Sequence, residues 1–563
     1  MDQIKTTTTT HWNEVVHRKR KDLKDSIPNE WVLKRVPTVH SVSDVEGYLN
    51  SIMSDVENGI VHTSLLDLRR MIKRGEIKSY DLVKAFCKRA AYVQQMCNCC
   101  SEIFFDRALK RASQLDEYYE KNNEVIGPLH GIPISLKDQI NLEGIDSAIG
   151  YVSKLYSPIS KDKVSLLAEI LESLGAVFYV KTTTPMAMMS GETNSNIYGI
   201  TCNSRNRNLS CGGSSGGEGA LLGSHGSVLG FGTDIGGSIR LPSSSQGIFG
   251  LRCCSNRLPY LNITNSMANQ PVMCSVVGPM SVNIDDLQYI TKLVLDQKPW
   301  VNDPRCLPIP WRDYEPPKKL SFGIFDCNNI GYLHPPVRRA IKMVVTSLKR
   351  EGHEVIELSP PFTLQQLFTF AGEIFYADGC REILEECKHS GEPCTTISAF
   401  DEDGNRCRGV ANVNEHWDQY ARKYEYQRDF DKFWLETANI TTTKRPVDGL
   451  ILPVQPMASF RPGDIKKFKL NFTRAFNVLD YAVVSTPITL ADKYTDIKDE
   501  TYQPLDEDDR VLYDYYDAEL YDGTPIGVQV VAPRYEEERA IGLSKLINSY
   551  VENHLNPKMK LQI

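Results

Sequence analysis

The sequence predicts an α/β protein with a mixed, mainly buried central β-sheet flanked by helices on both faces. Strand-like and helix-like segments alternate, as where VSLLAEILESLG (164–175) reads as a helix leading into the strand AVFYV. The runs GLILPV (449–454) and IGVQVV (526–531) are apolar and β-rich without polar alternation, the pattern of strands covered on both sides. Composition agrees: 41% hydrophobic and 24% charged residues over 563 positions exclude a mainly disordered chain.

The elements follow in order. Residues 1–60 are polar and mixed, with a threonine run from Thr6 to Thr10 and a loop turning into a packed segment around Trp31. They predict a helical N-terminal wrap on a single domain, residues 61–563. Ser64 and Asp67 form an S-x-x-D helix start, with Leu65, Leu68, Met71 and Ile72 at helical spacing until Gly75. Ser79 is the expected cap of the next helix, whose apolar face is Leu82, Val83, Phe86, Ala90 and Val93. Ile132, Ile134 and Leu136 alternate as in a strand ending near Lys137. LSFGIF (320–325), a helix from about Pro336 to Arg350, and EVIEL make a further unit. The acidic stretch from Asp492 to Asp522 reads as a solvated excursion.

Charge and termini narrow the function classes. A net charge of −7 offers no overall basic field for nucleic acid or an anionic membrane. No apolar run reaches the roughly 18 to 20 residues of a membrane span. The first residues have no apolar core of a secretory signal, and KMKLQI carries no lipidation ending, so a cytoplasmic protein is expected. The 15 cysteines are odd in number. None, including Cys97, Cys99, Cys100, Cys253 and Cys254, shows the paired C-x-x-C spacing of a zinc site. Reduced, buried thiols and no metal are expected.

Residues 211–251, CGGSSGGEGALLGSHGSVLGFGTDIGGSIRLPSSSQGIFGL, carry the chemistry. Glycines let a substrate approach the main chain, and serines among them place short hydroxyls beside exposed amides. Acyl transfer needs that pairing of nucleophile and oxyanion donors. A phosphate cradle is disfavoured because G-x-x-x-x-G-K-[ST] is absent. Gly213-Ser214-Ser215-Gly216-Gly217 formally satisfies the G-x-S-x-G elbow of α/β-hydrolases. That reading needs a downstream histidine, yet His334, His353, His389, His416 and His554 lie in no recognisable context. The remaining reading uses both serine sites with a lysine as base. His130 and His225 read as packed or exposed rather than catalytic.

This segment resembles the signature of the amidase signature family, and its fungal acetamidase and fatty-acid-amide-hydrolase members most. The resemblance spans most of residues 60–563. CSEIFFDRALKRASQLD (100–116) and GPLHGIPISLKD (127–138) are similar to the family's upstream elements, and FNVLDY (476–481), GTPIGVQVV (523–531) and RYEEER to its C-terminal ones. It implies a Ser–cisSer–Lys triad of Ser238, Ser214 and Lys137, the two serines 24 residues apart, with a cis peptide before Ser214. It further implies that the amides of Ile235, Gly236, Gly237 and Ser238 bind the oxyanion, and that the backbone of Met188 contacts substrate. Ser215 is expected to position the nucleophile or satisfy local backbone, and Asp234 with Arg240 to brace the loop. Gly250-Leu251-Arg252-Cys253-Cys254 departs from the family's G-L-K-P-[ST], and Ala482 stands where proline is common, so loop shape and pocket lining there are open.

The expectation is a cofactor-free amidase acting on a small-molecule amide, without nucleic-acid or integral membrane contact and with at most a second copy of itself as partner. The alternatives are an amidotransferase subunit that forwards ammonia to an aminoacyl-tRNA, and a silent relative that only binds. Small to medium soluble amides are expected over bilayer-held lipids, with pocket walls from the aromatic run PFTLQQLFTFAGEIFY (361–376). A lysine base must be neutral, whereas an unperturbed lysine titrates at about 10.4. Lys137 is therefore expected to be buried among apolar strand neighbours, with Asp138 pointing elsewhere.

Overall fold

Apolar runs that satisfy each other's backbone groups define one large sheet. The computed structural model describes residues 12–325, 331–395, 409–410, 412–469 and 471–554, so the Thr6–Thr10 run and KMKLQI lie outside the described residues. Its first strands are β1 (Cys100–Ile103), β2 (Pro133–Lys137), β3 (Val177–Thr182) and β4 (Leu229–Asp234). β5 (Phe249–Arg252), β6 (Val276–Ser281), β7 (Ser321–Phe325) and β8 (Glu354–Leu358) follow. The last are β9 (Gly449–Pro453), β10 (Ala482–Leu490) and β11 (Pro525–Ala532). All eleven join in the order β1-β3-β2-β4-β6-β5-β10-β11-β9-β7-β8.

Pairing is mixed, as expected. β2 runs parallel to β3 and β4, with Leu136 opposite Phe231, so Lys137 and Asp234 emerge at the same end of the sheet. The strands from β4 through β6, β5, β10 and β11 pair antiparallel, and β9, β7 and β8 are parallel again. Every residue of β2, β4 and β11 is buried. That is why the β11 run shows no polar alternation.

Helices cover the sheet and build two main apolar clusters. One gathers Leu136, Leu229 and the helix Ser79–Cys97 with Val16, Leu23 and Trp31 from the N-terminal segment. The other gathers Phe322, Leu450 and Val528 with Phe375 and Trp434. Each such side chain contributes about 1.5–3 kcal/mol on burial. The predicted face Leu82, Val83, Phe86, Ala90 and Val93 is fully buried.

Ser64 caps its helix, accepting from the Asp67 amide. Ser79 does not cap the next one. The amides of Ser79 and Tyr80 instead donate to the Asp116 carboxylate at 2.7 and 2.9 Å, a cap supplied from another helix. Ten of the thirteen described cysteines are buried, as read. In the acidic stretch, Tyr494, Ile497 and Leu505 are exposed, whereas Asp496 and Asp509 are buried, Asp496 on Arg339.

In the helix Gly216–Leu222, Gly217 packs against the chain just past the end of β3 with no room for a side chain. A Cβ on Gly217 would stand 2.4 Å from the Thr183 amide nitrogen and 2.5 Å from the Cys99 carbonyl. Neither atom can yield without moving the sheet. Gly217→Ala is expected to destabilise the fold by about 3 kcal/mol, at the upper end of overpacking costs. Denaturant titration checks this, and a midpoint equal to wild type would show that the helix can slide.

Candidate active site

Two glycine-rich turns and one strand end build the site. Lys137 ends β2 and is fully buried. Its Nζ donates to Ser214 Oγ and to Thr233 Oγ1, both at 2.8 Å. Thr233 Oγ1 in turn donates to Gln139 Oε1 at 2.6 Å, so a short polar chain fixes the lysine tip. Burial pushes the Lys137 ammonium down to about 7, against the opposing pull of Asp234, Glu218 and Asp138. Asp138 does point elsewhere: it accepts from Ser101 Oγ at 2.7 Å and from the Ile149 amide at 2.6 Å.

Ser214 follows a cis peptide bond, Gly213–Ser214. The Ser215 amide donates to the Ser238 carbonyl at 3.1 Å, which ties the two serine segments together. The Ser215 hydroxyl stays local, donating to the Thr233 carbonyl at 3.2 Å. Ser214 and Ser215 are buried, whereas Ser238 lines a cavity of about 510 Å³. Gly236, Ile235 and Met188 line the same cavity, and Phe368, Phe375 and Tyr376 form the expected aromatic wall. No histidine lines it among the described residues, whereas the α/β-hydrolase reading needs one.

The loop after β4 is held by a buried ion pair. Arg240 Nε and Nη2 both donate to the Asp234 carboxylate at 3.0 Å, and Asn477 Nδ2 adds a bond at 2.8 Å. Burial alone would raise the Asp234 carboxyl, but Arg240, with Arg252 and Asn477, holds it well below the usual carboxylate range. Arg240 Nη1 also donates to the Thr473 carbonyl and Gln529 Oε1, which carries the brace into β11. One expectation changes here. The Gly237 amide donates to Asp234 Oδ1 at 2.8 Å, so one of the four amides expected to bind the oxyanion is taken up by the brace. The amides of Ile235, Gly236 and Ser238 have no acceptor among the described residues. Gly237 itself sits at φ +123, and a Cβ there would stand 2.4 Å from Thr473 Oγ1.

Several neighbours escaped the sequence reading. Thr233 and Gln139 carry no motif beyond adjacency to Asp234 and Lys137. Glu218 is fully buried, accepting from Thr182 Oγ1 at 2.6 Å and from Ser135 Oγ, and burial raises its carboxyl to about 7. Cys253 and Cys254 stay away from the catalytic cavity, and the Cys254 thiol accepts from the Tyr535 amide at 3.1 Å. Arg252 donates to Asp480 at 2.7 Å, so this departure is anchored to the FNVLDY segment. His130 is buried, with its Nδ1 accepting from the Ile126 amide. Glu46, His62 and His225 bring ligand-type atoms within 4.8 Å of one another, but none lines the cavity and Glu46 is already bonded to Arg205.

Removing one partner of a buried pair leaves an uncompensated charge, at a cost of about 3–5 kcal/mol. Asp234→Ala is therefore expected to lower stability by that amount, with kcat falling as the loop loosens. Chemical denaturation beside single-turnover kinetics reads both, and unchanged stability would show that Arg240 finds another partner.

Residues 81–541 match the family profile named Amidase. The acetamidase of Emericella nidulans is 38% identical over 557 residues, covering 97% of this chain and 99% of that one. A probable amidase of Saccharomyces cerevisiae is 37% identical over 541 residues, covering 93% and 96%. Among solved structures, a fatty acid amide hydrolase superposes with a TM-score of 0.90 at 30% identity, covering 96% of this chain and 95% of that one. The strand order, the glycine–serine turns and these full-length matches agree, and the chain belongs to the amidase family of amide-hydrolysing enzymes.

Proposed function

We propose that this amidase converts a carboxamide to a carboxylate through an acyl-enzyme, with Ser238 as nucleophile, Ser214 as proton relay and Lys137 as base. The observation that carries this reading is the 2.8 Å contact between a fully buried Lys137 Nζ and Ser214 Oγ, with no carboxylate bonded to the lysine among the described residues. A lysine in that setting loses its proton near neutrality, and its lone pair then accepts from the Ser214 hydroxyl. As Ser238 Oγ attacks the carbonyl carbon, its proton passes to Ser214 while the Ser214 proton moves to Lys137. The amides of Ile235, Gly236 and Ser238 receive the oxyanion. Collapse breaks the C–N bond, and the proton returns through Ser214 to the leaving nitrogen. Water then attacks the acyl-enzyme by the same relay, releasing the carboxylate and restoring Ser238.

The expectation of Met188 as a backbone contact for substrate stands as part of this proposal, supported by its place on the cavity wall at φ +59. The site needs no cofactor for these steps, since nucleophile, base and oxyanion donors are side chains and amides of the chain itself.

Two outcomes test the assignment. Ser238→Ala should lose nearly all turnover and all labelling by a fluorophosphonate, whereas Ser214→Ala should keep a small residual rate; full labelling of Ser238→Ala would move the nucleophile elsewhere. The pH profile tests the base. Because neutral Lys137 is the competent form and burial sets its pKa at about 7, kcat/KM should rise through pH 7 and level off above it. Lys137→Arg should be as inactive as Lys137→Ala, since a guanidinium stays protonated. A Lys137→Ala enzyme that keeps the wild-type rate and its alkaline rise would remove the lysine from the mechanism.

A further inference from the structure

The cavity above Ser238 carries a charge that the proposed chemistry does not use. Its lining includes Arg474, Lys466 and Lys469, and no aspartate or glutamate among the described residues. Lys469 is paired with Asp508. Arg474 differs: among the described residues its guanidinium makes no hydrogen bond and no ion pair. It lies instead over two aromatic faces, 4.2 Å from the centre of the Phe368 ring and 5.3 Å from that of Phe375. Two fully buried arginines near the site do meet carboxylates, Arg240 on Asp234 and Arg252 on Asp480.

Placement adds to this. Arg474 follows Thr473, whose hydroxyl donates to the Gly236 carbonyl at 2.8 Å. A Cβ on Gly236 would meet Phe375 at 3.2 Å and the Arg474 side chain at 3.6 Å. The stem of Arg474 thus stands beside the loop that holds Ser238, with its guanidinium over the two aromatic rings. An arginine keeps its charge at any working pH and offers paired donors that match a carboxylate. A half-buried cation stacked on rings and lacking an acceptor is an incomplete pair, and the missing half fits in the cavity beside Ser238.

We infer that Arg474 anchors a carboxylate on the substrate, so that the preferred substrates are carboxamides that also carry a carboxylate group. This rests on the amidase reading of Ser238 and deepens it. The apolar lining from Met188, Phe368 and Phe375 accommodates the carbon chain between the two groups, and about 510 Å³ is far more space than a two-carbon amide fills. The carboxylate can sit on the acyl group, as in a monoamide of a dicarboxylic acid, or on the leaving group, as in an N-acyl amino acid.

The test compares kcat/KM for glutaric acid monoamide and N-acetylphenylalanine with the neutral pentanamide and N-acetylphenethylamine. Wild type should favour one anionic amide over its neutral counterpart by roughly tenfold to a hundredfold, the usual worth of a charge-assisted bond. Which of the two is favoured tells the side on which the carboxylate sits. Arg474→Gln should bring that ratio to near one, and Arg474→Glu should invert it in favour of 5-aminopentanamide. A wild-type ratio at or below one for both anionic amides, or a ratio untouched in Arg474→Gln, overturns the anchor. Calorimetric titration of the same anionic amides into Ser238→Ala, with and without Arg474→Gln, separates this from the chemistry. Arg474-dependent binding without turnover in the wild type would sink the hydrolytic reading and keep the anchor, whereas binding that is indifferent to Arg474 would sink the anchor alone.

Discussion

The buried pair between Asp234 and Arg240 is the constraint on which the site's geometry depends. Neither residue is exposed, and each is committed on several sides: Asp234 to the Gly237 and Ile239 amides and to Asn477, Arg240 to Thr473 and Gln529. Desolvating two charges costs several kcal/mol per ion, and only a full set of hydrogen bonds brings the sum back near zero. Such a pair adds little net stability. It fixes where things are. The turn 235–239 has to follow the carboxylate, and the carboxylate has to follow the segment from 473 to 477 and the strand β11. The loop that carries Ser238 is thereby located by residues more than two hundred positions away in the chain.

The same burial, which disfavours charge on both groups, ends with opposite outcomes at Asp234 and Lys137. At Asp234 a guanidinium is bonded directly, so the charged form wins despite desolvation. At Lys137 the contacts are hydroxyls, which cannot repay the loss of water around an ammonium, so the neutral form gains. The choice of partner, ionic or hydroxyl, sets which group is a fixed brace and which can exchange a proton near neutrality. Asp138 would undo this if it turned inward. Its bonds to Ser101 and to the Ile149 amide hold it outward, so the residue beside Lys137 contributes by where it does not point.

How much of this was legible in the sequence follows from the range of each interaction. Strands such as β9 and β11 and the helix ending near Arg350 announce themselves because periodicity is local. The serine spacing and the lysine strand were readable because each sits within a short motif. The Asp116 cap over Ser79, the Thr233–Gln139 chain on Lys137 and the Gln529 contact to Arg240 join segments 37, 94 and 289 residues apart, and no window contains both halves. The reassignment of Gly237 has a different origin. Four consecutive amides look equivalent in a sequence, and only the position of the Asp234 oxygens shows that one is already occupied.

The division between strand ends and covering helices also separates reaction from selectivity. Lys137, Thr233 and Asp234 come from β2 and β4, and the serines from glycine turns with no space for a side chain, so these positions tolerate little change. The cavity walls come from elsewhere: the helix Leu364–Phe375 and the segment around Phe468 and Arg474. Substitutions of the wall side chains Phe368, Phe468 or Arg474 alter the volume, the aromatic faces and the charge that a bound molecule meets, without removing a group that holds the brace. A full-length likeness to an acetamidase therefore speaks to the bond that is broken, because that part is held by the sheet. What hangs on either side of the bond meets the wall, and in this chain the wall presents an arginine over the faces of two phenylalanines.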